Sequence, residues 1–301
     1  NVRTLDFTAA RAAADPMRHD PPFQPSYEDR PGAPDRVFAA LDDEAFERQV
    51  AAWARALTDA GAAAADVLHL HHLTPIYEAA ARVAPHVPVV GQIHGTEMLM
   101  IEQIAAGPPK SWRYAERWLE RMRAWANRCA RLIVLTPRQL PGLEKLLGVP
   151  RERCELIPNG VDLDRFRRAE VDRRAHWRRP LVEQPRGWRP GGAEGSVAYA
   201  EEDLAAFDGD GPTLLFVGRF TRLKRVGLLI RAFARAQKAF AHRTPLVLVG
   251  GHPGEWEGEH PVEAIAATGA RDVFLAGWHE HAALPEFLAA GDAIVLPSVG
   301  E

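Results

Sequence analysis

Phe216-Val217-Gly218-Arg219-Phe220-Thr221-Arg222-Leu223-Lys224 joins the end of an apolar strand to the start of a helix through one glycine and several cations. The stretch it closes, residues 213–217, reads as a strand. Beyond it, Val226, Leu229, Ile230, Phe233 and Phe240 recur close to one helical face, which buries that face against a sheet. Residues 246–249, 273–275 and 293–296 continue the alternation as further strands. An earlier series of the same kind runs through residues 67–70, 88–93, 132–136 and 155–158. Strands alternating with helical patterns give a parallel, helix-covered sheet, so the two series predict an α/β fold of two parallel-sheet domains.

Size and composition agree with that reading. A chain of 301 residues with 47% apolar content can fill two cores. Its 37 basic and 40 acidic side chains leave a formal charge of −3, which gives no global electrostatic footprint for nucleic acid, so any anion site must be local. Cys129 and Cys154 are the only cysteines, too few for a disulfide framework or a sulfur-rich zinc site, and a reducing, cytoplasmic setting is expected. No stretch approaches the roughly 20 apolar residues of a membrane span, and the opening residues do not form a signal peptide.

Outside the two series, Phe46, Val50, Trp53 and Leu57 recur at helical spacing behind Asp42-Asp43-Glu44, with Gly61 as the stop. Residues 1–40, rich in Pro and Ala, read as a surface excursion. Residues 167–211 carry two Arg-Arg pairs near Trp177, then Trp188, Gly191-Gly192 and an acidic stretch, without a clean period. They read as an irregular insertion beside a hinge. The expected division is therefore residues 1–165, a segment 166–211, and residues 212–301. A helix bearing Trp112, Trp118 and Trp125 turns Trp118, Met122 and Trp125 to the core. Its Arg113, Glu116, Arg117, Glu120 and Arg121 read as a solvated, self-pairing face that leaves peripheral contact with anionic lipid open.

The opening stretch has the parts of a diphosphate grip. Gly218 lets backbone approach closely, the helix start offers free N–H groups, and Arg219 and Lys224 supply charge-assisted hydrogen bonds. Such bonds are worth about 1.5–3 kcal/mol each against about 0.3–1 kcal/mol for the helix dipole, so the side chains should dominate. A solvated basic turn is the competing reading, since Arg222 and Arg225 are there too. His94 ends a strand in Val90-Gly91-Gln92-Ile93-His94, where parallel sheets bind ligands; it is either a cleft residue or the cap of the next helix. His69 and His71 share one strand face with His72 on the other, too few on a side for a closed zinc site, so lining or packing is preferred to metal. His252, His260, His279 and His281 lie on separate loops. Asn159-Gly160 after a strand is a common turn signal.

The Gly218-Arg219…Lys224 pattern, Leu156-Ile157-Pro158-Asn159-Gly160-Val161-Asp162 upstream and Pro297-Ser298-Val299-Gly300-Glu301 downstream together resemble the retaining family 4 glycosyltransferases of GT-B fold. Gly250-Gly251-His252-Pro253 and residues 274–277 also look like that family's donor-domain loops. The resemblance covers roughly residues 66–301 and implies two Rossmann-like domains facing across a cleft. It implies that Arg219 and Lys224 hold a nucleoside diphosphate, that Glu301 and Gly300 meet the donor sugar, and that Gly218 and Gly251 let backbone approach the donor. Trp278 and His279 would border the nucleobase, His94 would hydrogen-bond the transferred sugar, and Asn159, Gly160 and Asp162 would lie near the cleft.

The activity implied is transfer of a hexosyl unit from a nucleoside diphosphate sugar to an acceptor hydroxyl with retention of configuration and without metal. The acceptor, a sugar, lipid or small molecule, is not specified, and a cytoplasmic or inner-membrane-surface location is implied. A GT-B phosphorylase, a nucleotide-sugar epimerase and a non-catalytic nucleotide-sugar binder share the architecture. Against the family pattern, the first strand with its Gly-rich loop and the last strand–helix units with the second Glu are not found, so the chain is expected to be truncated at both ends. Arg225 stands where many relatives carry Gly.

Overall fold

The computed structural model describes residues 2, 4–29 and 35–299; Gly300 and Glu301, and with them the expected sugar contact, lie outside the described residues. The chain divides into two units, Asn1–Gly160 and Val161–Glu301.

The first unit is built from α1 (Thr8–Ala12), α2 (Asp43–Asp59), β1 (Leu68–His71), α3 (Ile76–Val83), β2 (Val89–Ile93), α4 (Gly95–Ala106), α5 (Ala115–Arg128), β3 (Arg131–Val134), α6 (Leu140–Gly142) and β4 (Cys154–Leu156). Its four strands are parallel in the order β1-β2-β3-β4. The Asp42 carboxylate accepts from the Ala45 N–H at 2.8 Å and so starts α2, as the acidic run before it predicts. Gly61 stands just past that helix at φ +74°, a left-handed conformation that favours glycine. Register aligns Leu70, Gly91 and Leu132 in one row across the sheet. Gly91 leaves room for the Tyr77 ring, since a Cβ there would lie 2.8 Å from the Tyr77 hydroxyl.

Two expectations are corrected here. Residues 1–40 are not a surface excursion: Met17, Val37 and Phe38 are fully buried, and the Phe38 ring stacks on Trp118 at 4.7 Å. Pro and Ala disguise a segment in which Met17, Val37 and Phe38 turn inward while Val2 stays exposed. On α5 the Trp residues are core as expected, yet Arg117 and Arg121 pair with Asp43 of α2 rather than along their own helix, and Arg121 lies over the Phe46 ring at 3.5 Å. Part of the basic face is thus already occupied.

The second unit contains α7 (Arg173–Arg178), β5 (Leu214–Val217), α8 (Val226–Ala236), β6 (Leu246–Val249), α9 (Pro261–Thr268), β7 (Val273–Gly277), α10 (Leu284–Ala289) and β8 (Ala293–Ile294). Its parallel order is β7-β6-β5-β8, so the chain steps outward twice from β5 and then returns to its other side. β6 is buried throughout, as a central parallel strand must be. Alternation sends Leu246 and Leu248 to one core with Phe216, Ile230 and Phe233, and Val247 and Val249 to the other. That second core also contains Trp177, Leu181, Leu204 and Phe207. The segment expected to be an insertion beside a hinge is therefore the layer that covers one face of this sheet. Its missing period reflects short turns of irregular helix, each presenting one or two large side chains. Phe240 falls beyond the end of α8 and reaches only the edge of its core, against Phe233 at 5.9 Å.

Candidate functional site

In the second unit the carboxyl ends of three strands are laced together by backbone. The Gly218 N–H donates to Val249 O at 3.0 Å, and the Gly250 N–H donates to Gly277 O at 2.7 Å. The approach demands glycine: Gly250 has φ +123°, and a Cβ there would lie 2.2 Å from Gly218 O. These ends surround a pocket of about 390 Å³, whose walls include Gly218, Arg219, Gly251, His252, Trp278 and His279. It lies beside the point where strand order reverses at β5, the position at which open parallel sheets bind ligands.

Five residues singled out in the sequence, Gly218, Arg219, Gly251, Trp278 and His279, thus meet around one cavity. Lys224 follows in a turn closed by its N–H donating to Thr221 O at 3.1 Å, and its side chain folds back so that Cδ is 3.9 Å from the place of a Cβ on Gly218. The turn then enters α8 through Arg225 at φ +50°, a strained choice for a residue with a Cβ. The Val299 N–H donates to Leu223 O at 3.1 Å, which holds Pro297-Ser298-Val299 against the same turn. The His279 ring is tied to Ala276 O at 3.0 Å and packs on Phe287 at 4.4 Å; burial lowers its pKa and keeps it neutral. Glu255 and Leu284, which carried no signal in the sequence, complete the wall.

The Asp162 carboxylate accepts from the Asp164 and Arg165 N–H groups at 3.1 and 3.0 Å and so caps a turn. Asn159 and Gly160, exposed at the end of the first unit, make no turn of their own, and a Cβ on Gly160 would meet nothing within 4 Å.

The first unit gathers histidines at the carboxyl ends of β1 and β2. His94 occupies the cap position of α4 without its side chain capping that helix. Instead its Nε2 lies 3.1 Å from His71 Nδ1, and its ring stacks on His72 at 4.1 Å. The alternation that should send His72 to the opposite face fails because the strand ends at His71 and His72 turns back at φ +60°. Behind it, the fully buried Glu97 places Oε1 2.9 Å from His72 Nδ1, an ion-pair distance at an angle that does not make a hydrogen bond. The Thr96 hydroxyl donates to the other carboxylate oxygen. Desolvation first, then the neighbouring His72, lowers the pKa of His94; desolvation, then His69, does the same for His71. Glu97 was missed because nothing in the sequence distinguishes it from an ordinary first-turn acid; its position three residues after His94 was the available signal. Among the described residues, no group of three or more His, Cys, Asp or Glu is arranged to hold a metal ion, and no helix is long and apolar enough to cross a membrane.

Known proteins bear on both units. The family model described as Glycosyltransferase Family 4 matches residues 14–165, and that described as Glycosyl transferases group 1 matches residues 211–301. A D-inositol 3-phosphate glycosyltransferase of Xylanimonas cellulosilytica is 28% identical over 172 residues, which is 56% of this chain and 35% of the relative. The crystal structure of Anabaena HepE in complex with UDP and glucose superposes with a TM-score of 0.53 at 17% identity, over 83% of this chain and 56% of that one. A glycosyltransferase from Rickettsia africae gives 0.50 at 13% identity, over 86% and 57%. The chain therefore spans between about a third and three-fifths of the length of these relatives. With two parallel four-stranded sheets of GT-B type, and with half of its length matched by the family model, the chain belongs to glycosyltransferase family 4.

Proposed function

We propose that the chain transfers a hexosyl unit from a nucleoside diphosphate sugar to an acceptor hydroxyl, with retained configuration and without a metal ion. The observation that carries this reading is the convergence of Gly218, Arg219, Gly251, Trp278 and His279 on one pocket at the carboxyl ends of β5, β6 and β7. A diphosphate set against Gly218 would meet the Arg219 guanidinium and the Lys224 ammonium. As the sugar–phosphate bond breaks, negative charge grows on the leaving diphosphate, and two fixed cations stabilise it more than they stabilise the ground state. They take the role that a divalent ion has in other phosphate-releasing sites.

In this reading the sugar is gripped by Glu301 and Gly300, His94 donates a hydrogen bond to it, and a leaving phosphate oxygen takes the acceptor proton, so no protein nucleophile is needed. A neutral His94, favoured by its lowered pKa, suits a hydrogen-bonding role better than a charged one. The Anabaena neighbour with UDP and glucose, and the curated relative named for D-inositol 3-phosphate, support a sugar-nucleotide donor and a polyhydroxylated acceptor.

The test is incubation with UDP-, GDP- and ADP-glucose and sugar or inositol acceptors in EDTA, with the new linkage assigned by NMR. An α-linked product from an α-linked donor is the expected result. A β-linked product contradicts retention, and absence of product and of released nucleotide with all donors contradicts the enzyme reading.

A further inference from the structure

One short stretch of the segment between the two strand series touches two walls of the pocket at once. The Trp188 indole N–H donates to Gly251 O at 2.9 Å, and the ring is fully buried among Phe220, Trp256 and His260. Phe220 directly follows Arg219, and its ring fills the space that a Cβ on Gly251 would need, 2.4 Å away. Two residues earlier, the Arg186 carbonyl sits where a Cβ on Gly277 would be, at 2.1 Å, and the Arg186 guanidinium donates to Trp278 O at 3.4 Å. Gly187 between them passes so close to β7 that a Cβ would lie 2.5 Å from Leu275 O. The stretch is itself anchored by pairing with Val197 and by the Arg186–Glu194 ion pair.

We propose that residues 186–188 are a strap that sets the spacing of the Gly250-Gly251 and Gly277-Trp278 loops, and that Trp188 is a positioning residue for nucleotide binding. The inference rests on the reading of this pocket as a nucleoside diphosphate site. It gives a role to the segment that sequence periodicity left unassigned. Trp188 does not touch the nucleotide; it orients the Gly251 peptide, whose carbonyl it holds and whose backbone faces the pocket. Arg186 does the same for the Trp278 peptide.

The test is a set of calorimetric titrations with UDP, GDP and ADP on the full chain, followed by the tightest of the three on variants. Trp188→Phe keeps most of the ring and removes the N–H. Trp177→Phe is its matched control: Trp177 is equally buried, in the same segment, and its indole N–H has no hydrogen-bond partner. The strap predicts about three- to tenfold weaker nucleotide binding for Trp188→Phe, the worth of one neutral hydrogen bond, and a matching rise in KM for the donor with kcat unchanged. Trp177→Phe should bind as wild type whatever its melting temperature. Arg186→Ala, a half-buried side chain whose loss does not threaten folding, should weaken binding about threefold. Wild-type affinity in Trp188→Phe overturns the proposal; should that variant not fold, wild-type affinity in Arg186→Ala overturns it. Failure of the wild-type chain to bind any of the three nucleotides is a different result, which removes the pocket reading and the strap with it.

Discussion

At the scale of single residues, the proposed transfer depends most on two cations, Arg219 and Lys224. Lys224→Ala should lower kcat about 10²–10³-fold, the cost of removing one charge-stabilising donor, with a smaller effect on donor KM. Steady-state kinetics checks this, and wild-type kcat would contradict it. Arg225 is held at φ +50° ahead of α8, so Arg225→Gly should raise stability by up to about 1 kcal/mol in denaturant unfolding, from relief of left-handed strain offset by the freedom glycine gains when unfolded. Gly218, Arg219 and Gly251 were legible in sequence because a glycine needed for close approach and a cation beside it are visible as residue types. The partners of His94 were not. They depend on His72 turning back at φ +60° and on Glu97 being buried, and both are consequences of where the strand ends and the helix packs.

Elements show the same division between what a pattern reveals and what packing decides. Every strand was legible to within a few residues, since parallel strands are apolar runs bounded by turns and their helices carry a 3.6-residue stripe. The segments at 1–40 and 167–211 were not legible, because their buried side chains are too sparse to make a period. Phe38→Ala should therefore cost about 3–5 kcal/mol in denaturant unfolding, the range for a buried aromatic, although Phe38 lies in a stretch that reads as loop. The start of α9 gives a pH prediction. His260 is fully buried; its Nδ1 accepts from the Val262 N–H, its Nε2 has no partner, and burial lowers its pKa to about 4. Above the unfolded value of about 6.5 the ring is neutral in both states and contributes no pH dependence. As pH falls from 6.5 to about 4 the unfolded chain takes up the proton and the folded one does not, so stability is lost, by up to about 3 kcal/mol. His260→Asn keeps a cap acceptor and should flatten that loss when unfolding is compared at pH 7 and pH 4.5.

Across the whole molecule, both units repeat one construction, a parallel sheet with a row of loops at its carboxyl edge, and in each unit those loops carry the residues that sequence singled out. The Glycosyltransferase Family 4 model falls on the first unit and the first residues after it, and the Glycosyl transferases group 1 model falls within the second. The strand β8 pairs with β5, and Ile294 and Leu296 are exposed. The proposed function turns on Arg219 and Lys224 holding a nucleoside diphosphate against Gly218 without a metal. The direct measurement is calorimetric titration of UDP, GDP and ADP in EDTA into the wild-type chain, Arg219→Ala and Lys224→Ala. At least one nucleotide should bind the wild type, and each variant should bind it about 10–100-fold more weakly, the worth of one charge-assisted hydrogen bond. Equal binding by all three proteins, or binding that appears only when a divalent cation is added, would contradict it.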